Sequence, residues 1–353
     1  MTLKLNQLKL NQVTRLSVVL TTLTGSLAVS QASVADEVNI YSYRQEFLIR
    51  PLLDAFTEKT GVEVNVVFSS KGLLERLENE GRNTPADILL TSDIGPLQDA
   101  KDLNLLAKIE SATISANVPA QYRDEDSQWV GLTARSRIIY TSKDRVEAGE
   151  IASYEDLTDP KWAGRICTRS GKHSYNLSLI GSMIEHKGAA EAEAWLAAVK
   201  ENLARKPQGN DRAQVKAVKE GQCDVALGNS YYFGAMLNND KEPEQKEWAQ
   251  SVNLVFPNQD DRGAHMNISG AAITANAPNP QQALQLIEFL TSEEAQRIYA
   301  EVNHEFPVRP GVARSALINE YMGEFKADTL SLTRIAANRA EASRMVDRVG
   351  FDN

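Results

Sequence analysis

Only two cysteines and four histidines occur in the 353 residues. None of them falls in a CxxC pair, an HExxH helix or any other common metal-ligand spacing. Sulfur- and imidazole-based metal sites therefore have no footing here. Also missing are a G-x-S-x-G nucleophile elbow, a glycine-rich phosphate loop and a serine–lysine motif. His173, His186, His265 and His304 are scattered and read as surface or structural residues. With no general base beside a nucleophile, enzymatic turnover is not expected. Basic excess is lacking as well. The net charge is −9, and removal of Lys4, Lys9 and Arg15 would take it to −12, which disfavours nucleic acid and anionic membrane surfaces as partners. After residue 35 no run approaches about 18 uninterrupted apolar residues, so a soluble mature protein is expected.

What is present begins with a leader. The first 35 residues carry those three basic residues and no acid, continue into the apolar stretch 16–29, and end in Ser33-Val34-Ala35 before Asp36-Glu37. This reads as a secretory signal cleaved after Ala35, with Thr21, Thr22, Thr24 and Ser26 making the apolar stretch a poor membrane span. About 318 residues would remain, more than a usual single core, so two lobes are expected. No low-complexity linker or repeat divides them, and ordered crossovers must join them. Cys167 and Cys223 each sit in a strand-like context. With export they would form a disulfide closing a loop of about 57 residues; a free pair and a zinc site are the competing readings, and zinc lacks supporting ligands.

Along the chain, a strand at 38–42 leads into helix 46–59 capped by Gly61, then strand 62–68, helix 71–80, strand 86–91 and helix 97–105. This alternation argues a parallel sheet covered by helices. Segments 129–133 and 137–141 read as a lobe crossover. The second lobe repeats the pattern with strand 165–168, helices 175–187, 189–202 and 212–220, and strand 223–228. Residues 253–257 carry the chain back to strand 268–274 and one long helix, 280–300, and residues after about 311 are helical and expected on the second lobe. The expected fold class is α/β, each lobe a doubly wound mixed sheet with a ligand cleft between them. Lobe 1 comprises 36–134 plus 260–310, and lobe 2 comprises 135–259 plus 311–353.

Two features point to chemistry in that cleft. Tyr231 and Tyr232 follow a short apolar run, and in a continuous strand adjacent side chains point to opposite faces. At a strand-to-helix turn with Ser230 as N-cap they can converge, and phenolate is a hard anionic ligand suited to a hard trivalent cation. Arg44 lies at a strand–helix junction, and Arg135 and Arg137 lie near the crossover; an arginine fork suits carbonate or carboxylate bidentately. Core packing for the tyrosines and salt bridges for the arginines are the plainer readings.

The strings Tyr41-Ser42-Tyr43-Arg44-Gln45, Pro85-Ala86-Asp87-Ile88-Leu89-Leu90-Thr91, Arg169-Ser170-Gly171-Lys172-His173-Ser174-Tyr175-Asn176, Ala204-Arg205-Lys206-Pro207-Gln208-Gly209-Asn210-Asp211 and Asn229-Ser230-Tyr231-Tyr232 decide between them. Together with Phe256-Pro257-Asn258-Gln259 and Asn267-Ile268-Ser269-Gly270, they resemble the periplasmic ferric-iron-binding proteins of ABC transporters, over essentially all of 36–353. The resemblance implies a two-lobed periplasmic binding protein fold and delivery of Fe3+ to an inner-membrane ABC permease by a monomer in the periplasm. It implies iron ligation by Tyr175, Tyr231 and Tyr232, with a synergistic carbonate on Arg44 and Arg135. Relatives with a histidine ligand after the first strand differ from this chain, which has Gln45 and Glu46 there. That departure places it with the three-tyrosine, carbonate-dependent branch, Gln45 lying at most behind the ligands and Tyr43 a minor further candidate. Fe3+ and three phenolates would cancel, leaving carbonate for the two arginines to balance. The alternative is the same fold binding another small anion or metabolite through Arg44 and Arg135.

Overall fold

The computed structural model describes residues 36–353, so the expected leader and its cleavage site lie outside the described residues. Nine strands run through these residues: β1 (Glu37–Ser42), β2 (Glu63–Phe68), β3 (Ile88–Thr91), β4 (Val130–Ser142), β5 (Ile166–Cys167), β6 (Val225–Asn229), β7 (Val252–Val255), β8 (Met266–Ile273) and β9 (Phe306–Pro307). The helices before β4 are α1 (Glu46–Thr60), α2 (Leu73–Glu80), α3 (Ile94–Asp102) and α4 (Ala112–Asn117). Between β5 and β7 come α5 (Ser174–Lys187), α6 (Ala189–Glu201), α7 (Asp211–Lys219), α8 (Tyr231–Leu237) and α9 (Glu244–Gln250). After β8 come α10 (Pro280–Leu290), α11 (Glu293–Asn303), α12 (Ala316–Met322), α13 (Leu332–Ala337) and α14 (Arg339–Val349).

The strands follow the order β2-β1-β3-β8-β4-β6-β5, with β7 and β9 also on β4. β1, β2 and β3 are parallel, while β8 is antiparallel to both β3 and β4. The pivotal element is β4, thirteen residues long and buried throughout. Its first half pairs with β8, Arg135 opposite Asn267, and its second half with β6, Arg137 opposite Asn229. One strand thus serves two sheets and curls the whole path. The expectation of a crossover spread over two segments resolves into this single strand, because residues 130–142 continue as one buried strand with only a local register shift between Gly131 and Thr133.

Local chemistry fixes the remaining ends. Gly61 adopts a left-handed conformation at φ 75° and returns its N–H to the Thr57 carbonyl, closing α1. Asp93 accepts from Gly95 N and starts α3 at Ile94, three residues before the expected start. The long helix expected over 280–300 is two helices, because the Ser292 hydroxyl accepts the Ala295 N–H and caps a new start. The disulfide forms: Cys167 ends β5 and joins Cys223, just before β6, at a Cα separation of 5.9 Å. After residue 311 the helices divide their contacts. α14 buries Ala342, Met345 and Val346 with α5 and α6, whereas α13 lies between α3 and α5, and Ile318 of α12 joins the core around β1 and β8.

Candidate metal centre

Tyr231 and Tyr232 open α8 directly after β6, and Tyr175 is the second residue of α5. At both points the chain leaves a buried strand edge and turns into a helix, which lets side chains from two elements converge. The Tyr175 and Tyr231 hydroxyls are 3.3 Å apart. The Tyr231 and Tyr232 rings lie 4.3 Å apart between centres, tilted by 35°. Ser230 stands at the N-cap position, but its hydroxyl accepts the Ser136 N–H of β4 and does not cap α8. It ties the tyrosine turn to the central strand. His173 is the N-cap of α5, its Nδ1 accepting the Tyr175 N–H, with its ring edge-on to Tyr175 at 4.6 Å.

Burial raises the Tyr231 phenol well above its ordinary value of 10, and the neighbouring Tyr175 and Tyr232 phenols add to the rise. Tyr232 is raised as well, by burial first and then by the Tyr175 phenol and the Asp211 carboxylate. Three guanidinium groups surround the Tyr175 ring: Arg169 at 5.3 Å, Arg135 at 5.7 Å and Arg137 at 6.0 Å. Arg212 lies 5.6 Å from the Tyr232 ring centre. The arrangement collects three phenols among several guanidinium groups.

The arginines themselves are organised in two buried clusters. In the first, Arg44 donates from Nη2 and Nη1 to Glu305 Oε2 and Oε1, at 2.6 and 3.2 Å, and also bonds Ser269 Oγ. Arg135 donates to Ser269 Oγ at 2.7 Å, to the Ile268 carbonyl at 2.8 Å and to Glu305 Oε1 at 3.4 Å. Thr133 adds a hydroxyl bond to Glu305. Burial pushes the Glu305 carboxyl up, but Arg44 and Arg135 outweigh it and hold it below the usual range. In the second, Arg137 donates to Asp211 at 2.7 Å and to Asn229 and Asn176, while Arg169 reaches the other Asp211 oxygen at 3.2 Å. Arg137 and Arg169 keep Asp211 low despite complete burial.

Glu305 changes the expected charge balance. Arg44 and Arg135 share one carboxylate, so together they bring one positive charge, not two; the Arg137–Arg169–Asp211 cluster brings the second. Arg44 Nε, Arg135 Nε, Arg169 Nε and Asn229 Nδ2 are buried with no hydrogen-bond partner among the described residues. Each of Arg44 and Arg135 has five N–H donors and uses three on the protein, leaving two.

Gln45 is exposed and does not cap α1. The Tyr43 hydroxyl accepts the Leu74 N–H at 2.9 Å, and Glu46 pairs with Arg50 along α1. Sequence reasoning passed over Glu305, Ser269 and Asp211. No local signal separates Glu305 from the exposed Glu301 four residues earlier, whereas Asp211 and Ser269 lie inside strings quoted for the resemblance, without a role assigned to them there.

Residues 52–327 match the family described as bacterial extracellular solute-binding protein. The chain is 40% identical over 316 residues to iron uptake protein A1 of Synechocystis sp., covering 89% of this chain and 87% of that protein. The crystal structure of the apo ferric ion-binding protein A of Pasteurella haemolytica superposes with a TM-score of 0.86 at 49% identity, over 90% of this chain and 99% of that one. A Trichodesmium protein in complex with iron and citrate ligands gives a TM-score of 0.85 at 40% identity, over 89% and 99%.

Proposed function

The chain belongs to the bacterial extracellular solute-binding proteins, and on that premise we propose that it captures Fe3+ in the periplasm and delivers it to an ABC permease. The observation that carries the reading is the meeting of the Tyr175 and Tyr231 hydroxyls at 3.3 Å beside Tyr232. Three phenols that converge from two helix starts offer a hard, potentially trianionic donor set, which matches ferric iron and suits softer ferrous iron poorly. Reduction would therefore release the cargo. A small anion or metabolite binder relying on Arg44 and Arg135 has no use for three phenols.

Carbonate completes the proposed site, on the donors that Arg44 and Arg135 retain beyond Glu305, with Gln45 behind it at most. The charges support this. Iron and three phenolates cancel, and the two arginine clusters, with Arg212 beside Tyr232, supply the positive charge that a carbonate dianion needs. Arg44 stands on the β1 side and the tyrosines on the β6 side of β4, so we assign lobe 1 to 36–134 plus 260–310 and lobe 2 to 135–259 with α14, while α12 packs on the lobe 1 core and α13 lies between α3 and α5. Closure about β4 and β8 would bring Arg44 over the anion. The protein acts as a monomer and turns nothing over. Equilibrium dialysis of the purified protein against ferric iron with bicarbonate should leave about one iron per chain; a protein that emerges free of iron removes the reading.

A further inference from the structure

Glu305 is 3% exposed and enters from the turn after α11, where His304 adopts a left-handed φ of 57°. The His304 ring rests on Gly234 of α8, where an added Cβ would lie 2.6 Å from it, so the turn that carries Glu305 packs closely on the tyrosine-bearing helix. It takes bonds from Arg44, Arg135 and Thr133, and Ser269 Oγ lies 3.5 Å from Oε1. A carboxylate held by four residues inside an anion anchor competes for the charge that the anchor offers to anything else.

We propose that Glu305 is a specificity-determining residue that selects the exogenous anion by charge. By neutralising one of the two guanidinium groups it holds the Arg44–Arg135 pair, on which the anion would sit, at +1. The extra charge of a trianionic polycarboxylate then finds no free guanidinium in the pair, and a dianion such as carbonate is favoured over it. Burying an unpaired charge is the costly outcome, so discrimination follows from charge count even where a larger anion fits. Without the carboxylate the pair would stand at +2 and shift the preference toward the trianion. The inference rests on the ferric reading above.

The test loads wild type, Glu305→Gln and Glu305→Asp with Fe3+ in bicarbonate or in citrate, and reads each apparent anion affinity from the phenolate-to-iron absorbance band. Wild type should prefer bicarbonate. Glu305→Gln should move the citrate-to-bicarbonate ratio about ten-fold or more toward citrate, the size expected of one unit charge acting across several ångströms at an effective dielectric of about 20. Glu305→Asp keeps the charge and should keep the wild-type ratio. An unchanged ratio in Glu305→Gln, an equal shift in Glu305→Asp, or a wild type that prefers citrate overturns the assignment. The wild-type preference decides the matter if the Gln variant does not fold. Loss of the band with both anions in wild type is a separate result: it removes the ferric reading and this inference with it.

Discussion

At Tyr231 the cost of burial and the demand of the ligand act against each other. The phenol is held well above 10, so it is protonated at neutral pH and iron must displace the proton. Tyr232 behaves likewise. Ferric affinity should fall with acid by about ten-fold per pH unit for each phenol proton that iron displaces, and titrations at several pH values check it. Tyr231→Phe removes one donor and leaves the ring packing against Tyr232. It should weaken binding by more than the 10–100-fold typical of losing a residue behind a ligand, measured by competition with a chelator. The tyrosine pair was legible because a Ser and a short apolar run announce a strand-to-helix turn. The partners of the arginines were not, since an acid that is buried and one that is solvated look alike in sequence: Glu305 and Glu301 differ only in what folds over them.

The elements that carry the tyrosines are tied at their roots. The Cys167–Cys223 disulfide joins the end of β5, which leads to Tyr175, to the start of β6, which leads to Tyr231. Its removal in Cys167→Ser/Cys223→Ser should lower unfolding free energy by about 4 kcal/mol in urea melts, the chain-entropy value for a loop of this length. Ferric affinity should drop as well, because both turns lose a shared anchor. Element types came through from periodicity alone, and the failures have physical causes. The apolar period of α10 runs on into α11 across Thr291 and Ser292, so nothing but the Ser292 cap marks the break. Ser230 looks like a cap, but the nearby Ser136 N–H of β4 claims its hydroxyl, a tertiary contact no local pattern contains.

For the molecule as a whole, β4 is the determining feature. A single buried strand that hydrogen-bonds β8 with one half and β6 with the other puts Arg135 and Arg137 two residues apart on the same face, each in a different cluster. The two-lobed class was readable from the alternation of strands and helices. The order in which strands pair was not, because the pairings that join the two halves, β3 with β8 and β4 with β8, link residues more than a hundred positions apart. If closure accompanies binding, small-angle scattering should show a smaller radius of gyration with Fe3+ and bicarbonate than without, while an unchanged profile would mean that the cleft does not close.

The most direct measurement is an absorbance titration of the iron-free protein with ferric iron, with and without bicarbonate. A visible phenolate-to-iron band should grow to saturation at one iron per chain, strongly only when bicarbonate is present, and be lost or much weakened in Tyr231→Phe. A wild-type protein that stays colourless under both conditions, or a band that Tyr231→Phe leaves intact, would contradict the three-phenolate ferric site.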